Sequence, residues 1–444
     1  MVLSQHYRSL AFGLVAGLLA GAASPAHAAP TLLQTDQADE TKTAATPVRQ
    51  NLPNPSLTNA RLRPGVYPAQ PVPPEFAVAP DSGEPVPLDW SVGLRGTYLN
   101  SNGEGSFVTH LTPRFSYTHA GGIATIAIEG DADLAKANGQ DMPILTSGGL
   151  SISGTAPIDS VTRVTGSLNI GLTQDIPGTA GLSPFIITPP QVFTGGGKLG
   201  VDRQFGKFNV GLGGGINRTV YGPTDRTDTG LTDNSDQNYW SGTANLRLGY
   251  QVTPILEVFG QGELQRDIFD RPTASLGVYP NATNRSLRAG VSGKWNDIWS
   301  ASASVGVGER VFDEATLGAI RAELYGAEIR YTPDPTVAFT AGIETALAPA
   351  GADNPGTARI RYSAFSNAQY TVNSWLRLRA TADWSQSELV GTGTTERRLG
   401  LGAGADYALS AHTSLNADYG FGNTDNANGN TLSHQVSVGV TISR

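Results

Sequence analysis

Between Asn373 and Leu389 the chain reads N-S-W-L-R-L-R-A-T-A-D-W-S-Q-S-E-L, and two incompatible faces alternate one residue at a time. Leu376, Leu378, Ala380, Ala382 and Trp384 point one way, while Arg377, Arg379, Thr381, Asp383 and Ser385 point the other. A period of two is a strand, because successive Cβ atoms leave opposite sides of the pleat. One such strand suits a soluble sandwich as well as a membrane wall. Repetition decides between them: alternating segments of about ten residues recur from residue 88 onward with turn residues between, the signature of a transmembrane antiparallel β-barrel. The expected fold is therefore all-β, an up-and-down barrel with lipid outside and water inside.

The pattern predicts strands at 88–100, 105–118, 121–131, 146–155, 161–174, 195–205, 207–220, 238–251, 255–267, 284–295, 298–309, 319–332, 336–346, 357–372, 375–388, 396–409, 413–422 and 431–443. That is about eighteen. The alternation is poorest from Asp131 to Ala156, and losing a hairpin there would leave sixteen. Connections alternate in length: Gly206, Asn296-Asp297 and Pro333-Asp334-Pro335 are tight, whereas Asp175–Thr194, Gly222–Gln237, Ile268–Thr283 and Ala348–Gly356 are long. Short periplasmic turns and longer extracellular loops are the asymmetry expected of such barrels.

Strand parity then sorts the side chains. Leu94, Phe107, Leu212, Leu287, Val305 and Val438 are outward candidates, with Leu378 expected near mid-bilayer. Trp90, Trp295, Trp299, Trp375 and Tyr331 sit beside short turns and are expected to form a periplasmic aromatic girdle, where an amphipathic ring is most comfortable. The inward set carries about eleven bases and seven acids on this reading. Arg359 and Arg361 lie on one strand and Arg377 and Arg379 on the next, so the four are expected to form a lumen basic patch, with Glu344 and Asp383 as nearby lumen acids.

Ahead of the barrel, residues 1–28 read as a secretory signal: Arg8 supplies the positive region, Leu10 to Ala20 the apolar core and Ala26-His27-Ala28 an A-x-A cleavage site. Residues 29–87 carry dense proline and no sustained apolar period, which favours a largely disordered periplasmic segment, with a short helix conceivable at Gln34 to Ala45. The barrel occupies 88–444. Export of a chain with such strands points to the bacterial outer membrane.

Composition narrows the chemistry. Only 15% of the 444 residues are charged and there is no cysteine, so disulfides, zinc ribbons and thiol catalysis are excluded together. A net charge of −8 argues against a nucleic-acid partner, which requires a basic field. His110, His119, His412 and His434 lack metal-ligand spacing, so neither a metal nor another cofactor is expected. Gly195-Gly196-Gly197-Lys198 lacks the first glycine and the hydroxyl residue of a phosphate loop and opens a strand, not a helix. No enzyme is expected.

The run from Arg285 to Leu347 contains G-V-S-G-K-W-N-D-I-W-S-A-S-A-S-V-G-V-G-E-R-V-F-D and then L-Y-G-A-E-I-R-Y-T-P-D-P-T-V-A-F-T-A-G-I-E-T. It resembles the putative β-barrel porin type 2 family of proteobacterial outer membranes, in which a Trp-ended strand and a Y-x-P-x-P-T hairpin recur, here Trp295, Tyr331, Pro333, Pro335 and Thr336. The resemblance implies fold and location over 88–444, and some relatives are associated with polysaccharide export. Many outer-membrane proteins end in an aromatic residue read by the barrel-assembly machinery. Here the last strand keeps its alternation through Val436, Val438, Val440 and Ile442 but ends on Arg444.

Eighteen strands spaced 4.8 Å and tilted about 40° give a circumference of about 110 Å and a diameter of about 35 Å, more than side chains can fill. The leading expectation is a porin-like passive channel for small hydrophilic solutes with weak anion preference. The runner-up is a component of exopolysaccharide export, and the third is a structural or adhesive barrel. Lipid and the assembly machinery are the expected partners. The sequence does not fix the oligomeric state.

Overall fold

The computed structural model describes residues 88–139, 142–176, 185–351, 356–427 and 429–444. The leader, the Pro-rich segment and the short helix at 34–45 lie outside the described residues. The strands are β1 (Leu88–Ser101), β2 (Glu104–Ala120), β3 (Thr125–Ala137), β4 (Ile144–Pro157), β5 (Thr162–Thr173), β6 (Ile186–Thr188), β7 (Val192–Phe205), β8 (Phe208–Tyr221), β9 (Thr224–Arg226), β10 (Gly230–Thr232), β11 (Tyr239–Thr253), β12 (Leu256–Phe269), β13 (Ala282–Trp295), β14 (Trp299–Phe312), β15 (Ala319–Asp334), β16 (Val337–Ala348), β17 (Ala358–Thr371), β18 (Leu376–Val390), β19 (Thr394–Ala408), β20 (Thr413–Asn426) and β21 (Gly429–Ser443). Among the described residues the helical pieces are two single-turn 3₁₀ segments, and no helix is long and apolar enough to cross a membrane.

Eighteen strands form one antiparallel sheet in which each pairs with its neighbour in the chain, and β21 returns to pair with β1. The ladder closes with Ser91 opposite Ser443, and the Arg444 N–H donates to the Trp90 carbonyl at 2.9 Å. Closure of this kind joins the first strand to the last, the condition for crossing lipid with strands. The weakly patterned segment 131–156 forms full strands β3 and β4, with one irregularity between Asp133 and Leu134, so the count is eighteen and not sixteen.

Parity separates the faces. Leu94, Leu212, Leu287, Val307 and Val438 are each more than half exposed, as residues directed at lipid are. The short turns carry the backbone that hairpin twist demands. Asn296 and Asp297 take φ of 50° and 57°, both in the left-handed region of a primed hairpin turn. Beside these turns Trp299 stacks on Tyr331 with ring centroids 4.1 Å apart, and Trp375 meets Tyr407 at 5.1 Å.

The wall departs from a simple cylinder at one seam. The β15–β16 ladder ends at Gly326 opposite Glu344. Beyond it, among the described residues, Ala319–Tyr325 is in ladder with β14 and Thr345–Ala348 with β17, and neither with the other. Phe312 and Ile320 share the lumen-side parity of Arg310, whereas Ala358 and Ile360 share the outward parity of Tyr370, which is half exposed to lipid. Yet Ala282, Phe312, Ile320, Ala358 and Ile360 pack into one buried cluster, joined by Leu317, Ala322, Leu347, Tyr362 and Val390. The two parities can meet only if the extracellular halves of β16 and β17 step inside β13–β15, so that the sheet overlaps itself. Thr345, of outward parity, is correspondingly 1% exposed.

Candidate functional site

The candidate site is the inner face of the barrel, where parity decides which side chains enter and position along the strand decides their depth. At the periplasmic end, Arg379 Nε and Nη2 each donate to Asp406 at 2.9 Å, and Nη2 also reaches Asp418 Oδ1 at 2.8 Å. Arg377 Nε donates to the same Asp406 at 3.0 Å. The register places Gly404 between Arg379 and Asp418. A Cβ on Gly404 would lie 2.1 Å from Asp418 Oδ1, so the missing side chain is what lets this ion pair cross an intervening strand. Gly249 leaves room for Glu257 on the adjacent strand, which accepts from Arg247 Nη2 at 2.5 Å while the guanidinium sits 3.6 Å over the Phe259 ring.

The structure does not bring the four expected arginines together. Arg377 faces Thr371 and Arg379 faces Gln369, but Arg359 faces Leu389 and Arg361 faces Ser387. The β17–β18 hairpin turns at its periplasmic end, so Arg359 and Arg361 are at the far end of the strands. Eight residues separate Arg361 from Gln369, about 26 Å along the strand. The lumen basic residues therefore form two groups. Arg377 and Arg379 share Asp406 and Asp418. Arg359 and Arg361 lie near Arg398, and the carboxylates in this group are Glu396, which accepts from Arg398 Nε at 2.7 Å, and Asp383, which feels both Arg361 and Arg398. Glu344 faces Gly326 and Ser363 at the foot of the seam, a diagonal neighbour of Arg361 in register and far from Arg377 and Arg379.

Parity also adds lumen charges that the sequence reading omitted. Lys198, Arg310 and Arg330 join the bases, and Asp131, Asp133, Asp202, Asp267 and Glu328 join the acids, so the excess of positive charge shrinks. Arg310 is the most consequential omission. Its Nη1 donates to Asp267 Oδ2 at 2.6 Å and Asn284 Oδ1 at 3.0 Å, its guanidinium lies over Phe312, and both charged side chains are 0% exposed. The expected strands stopped at Asp267 and Glu309. Glu309, Arg310, Val311 and Phe312 put two charges before two apolar residues, so the alternation gave no signal that the strand runs on.

Two of the long loops carry structure that no periodicity foretold. β6, β9 and β10 form a small three-stranded sheet joining the loop after β5 to the loop after β8. Asn234, buried within it, donates to Gly222 O at 2.9 Å and Thr224 Oγ1 at 2.8 Å. At the end of its central strand β9, Arg226 makes a two-pronged pair with Asp228 at 2.8 Å, and that hydrogen bonding holds the Asp228 carboxyl down at about 2. Trp90, Trp295, Trp299, Trp375 and Tyr331 all fall at the short-turn end, in agreement with the strand order. Among the described residues no group of three His, Asp or Glu side chains is arranged to hold a metal ion.

Residues 105–444 match the family described as putative beta-barrel porin 2. No curated protein matches the chain. Among solved structures, the siderophore receptor PirA from Acinetobacter baumannii is 8% identical with a TM-score of 0.43, over 80% of each chain. OccK3 (OpdO) from Pseudomonas aeruginosa is 13% identical with a TM-score of 0.40, over 80% of this chain and 95% of that one. OccAB4 from Acinetobacter baumannii is 14% identical with a TM-score of 0.38, over 80% and 98%.

Proposed function

The chain belongs to the putative beta-barrel porin 2 family and resides in the bacterial outer membrane, and from that premise we propose that it is a passive channel for small hydrophilic solutes with a weak preference for anions. The observation that carries this reading is the width of the closed barrel. Eighteen strands enclose a diameter of about 35 Å before any overlap, too wide for side chains to fill, and the inner face is set with charges still open to solvent. Arg377 and Arg379 keep 49% and 36% of their side-chain surface accessible even while paired.

The seat of the anion preference is the distal group. Arg359, Arg361 and Arg398 outnumber Glu396 and Asp383 there, whereas the periplasmic arginines are matched one for one by Asp406 and Asp418. Fixed charge on a low-dielectric wall acts over about 8–10 Å at physiological salt, so the preference is mild and fades as salt rises. Single-channel recording of the refolded protein across a salt gradient tests the reading. A reversal potential on the anion side is expected. A silent barrel or clear cation selectivity would overturn it.

A further inference from the structure

The seam between β15 and β16 joins two strand edges that match and do not meet. The Tyr325 N–H points across the gap but donates to the Thr345 side-chain Oγ1 at 3.2 Å, not to a backbone carbonyl. Backbone groups alternate sides along a strand, so Glu323 and Arg321 present theirs to the same open edge. Opposite, the Thr345 carbonyl is held by Arg288 Nη2 at 3.2 Å. Arg288 reaches it by lying across two glycines: a Cβ on Gly306 would come 2.7 Å from its Cγ, and one on Gly326 would come 3.5 Å from its Nη1.

We infer that this seam is a zipper with two states. In the state seen here, Arg288 latches the extracellular half of β16 inside the barrel, and the cluster of Ala282, Phe312, Ile320, Ala358 and Ile360 holds the overlap. In the other state β16 swings out and the ladder continues past Gly326–Glu344. The existing register dictates the new pairs: Tyr325 with Thr345, Leu324 with Ala346, Glu323 with Leu347 and Ala322 with Ala348. Parity is preserved throughout, with Tyr325, Glu323, Thr345 and Leu347 outward and Leu324, Ala322, Ala346 and Ala348 inward. The exchange trades burial of the cluster for a β15–β16 backbone ladder that continues past Gly326 and Glu344. It also moves the upper part of β16 and β17 out of the lumen and widens it.

The consequence for conductance rests on the channel reading above, but the pairing does not. The natural chain has no cysteine, so a disulfide trap is clean. Ala322→Cys with Ala348→Cys sits at a pair that exists only in the zipped state. Arg330→Cys with Thr340→Cys is the control, in register in the present structure. Both would be oxidised mildly in the folded barrel in lipid vesicles. The zipper predicts that A322C/A348C closes its disulfide, faster when Arg288→Met removes the latch, and that the oxidised form conducts at a higher steady level that falls back on reduction. If A322C/A348C stays reduced while R330C/T340C oxidises fully, the second state does not exist. If it oxidises and conductance is unchanged, the seam is not a gate. Should no variant or wild type conduct at all, the channel reading fails, and the disulfide comparison alone upholds or overturns the zipper.

Discussion

The periplasmic and extracellular halves of this barrel are built from the same strands and hold themselves together differently. Near the short turns the wall closes strand to strand, aromatic rings belt the outside, and the inner charges sit in shared, solvent-open pairs such as Arg377 and Arg379 with Asp406. Near the long loops the sheet overlaps itself, an apolar cluster fills the step, and Arg310 and Asp267 are sealed from water. The difference teaches where a wide barrel is narrowed. The periplasmic half has the dimensions its strand number dictates, and the extracellular half is narrowed from within by its own wall.

The strongest way to break this comparison is to remove one acid from each half. Asp267→Ala leaves the Arg310 charge buried and unpaired and should destabilise the barrel by about 3–5 kcal/mol. Asp406→Ala, among partly exposed groups, should cost about 1 kcal/mol or less. Denaturant unfolding in lipid vesicles reads both. Equal losses would mean that the two halves are equally wet. Replacing the buried pair together, Asp267→Leu with Arg310→Met, should recover most of the first loss, because an apolar pair of similar volume no longer needs the salt bridge.

A second substitution pair separates the faces. Val305, 61% exposed on the outward side and midway along β14, should cost roughly 2–4 kcal/mol when changed to Arg. Thr381→Arg, on the lumen side of β18, should cost clearly less. Leu378, expected from sequence near mid-bilayer, proves to be the third residue of β18, close to the periplasmic turn. A charge there can reach the interface and makes a weaker test.

The small extracellular sheet allows a test by pH. The Asp228 carboxyl is held at about 2, below its ordinary 3.8, chiefly by the Arg226 hydrogen bonds. A depressed carboxylate stabilises the fold fully above its ordinary value and loses that contribution as pH falls through the folded one. Hydrogen-exchange protection across β9 and β10, with the intrinsic pH dependence of amide exchange divided out, should therefore hold from neutral pH down to about 4 and fall as pH drops toward 2. Loosening already near pH 5 would show that another group holds the sheet. The smallest expected effect is on selectivity: Arg359→Gln with Arg361→Gln should shift the reversal potential toward cations, and Arg377→Gln with Arg379→Gln should shift it less. The reverse order would return the selectivity to the periplasmic half.

Much of this was legible in the chain. Alternation placed most strand ends within a few residues, because a wall with lipid on one side and water on the other imposes a period of two; β3, where the pattern is poorest, runs six residues past the expected end at 131. Turn residues such as Asn296-Asp297 marked the tight end. What the alternation could not give is depth. Arg359 and Arg377 read as neighbours because their strands are neighbours, and only the antiparallel register shows them at opposite ends. The overlap was equally hidden: Ala358 and Ile360 carry the outward parity of lipid-facing residues, and nothing local distinguishes an apolar residue facing lipid from one facing another layer of the same sheet. The pairing of Arg310 with Asp267 escaped for another reason, since the expected strands ended at Asp267 and Glu309, one residue short of the arginine.

Polymer exclusion, measured one side at a time in single-channel recordings, tests the central claim most directly. Neutral polymers of graded size, added on the periplasmic side, should enter the wide half and lower the conductance, while the same polymers added on the extracellular side should be excluded at a smaller size. Identical size cut-offs from the two sides would contradict the account, because the extracellular half would then not be the narrow one.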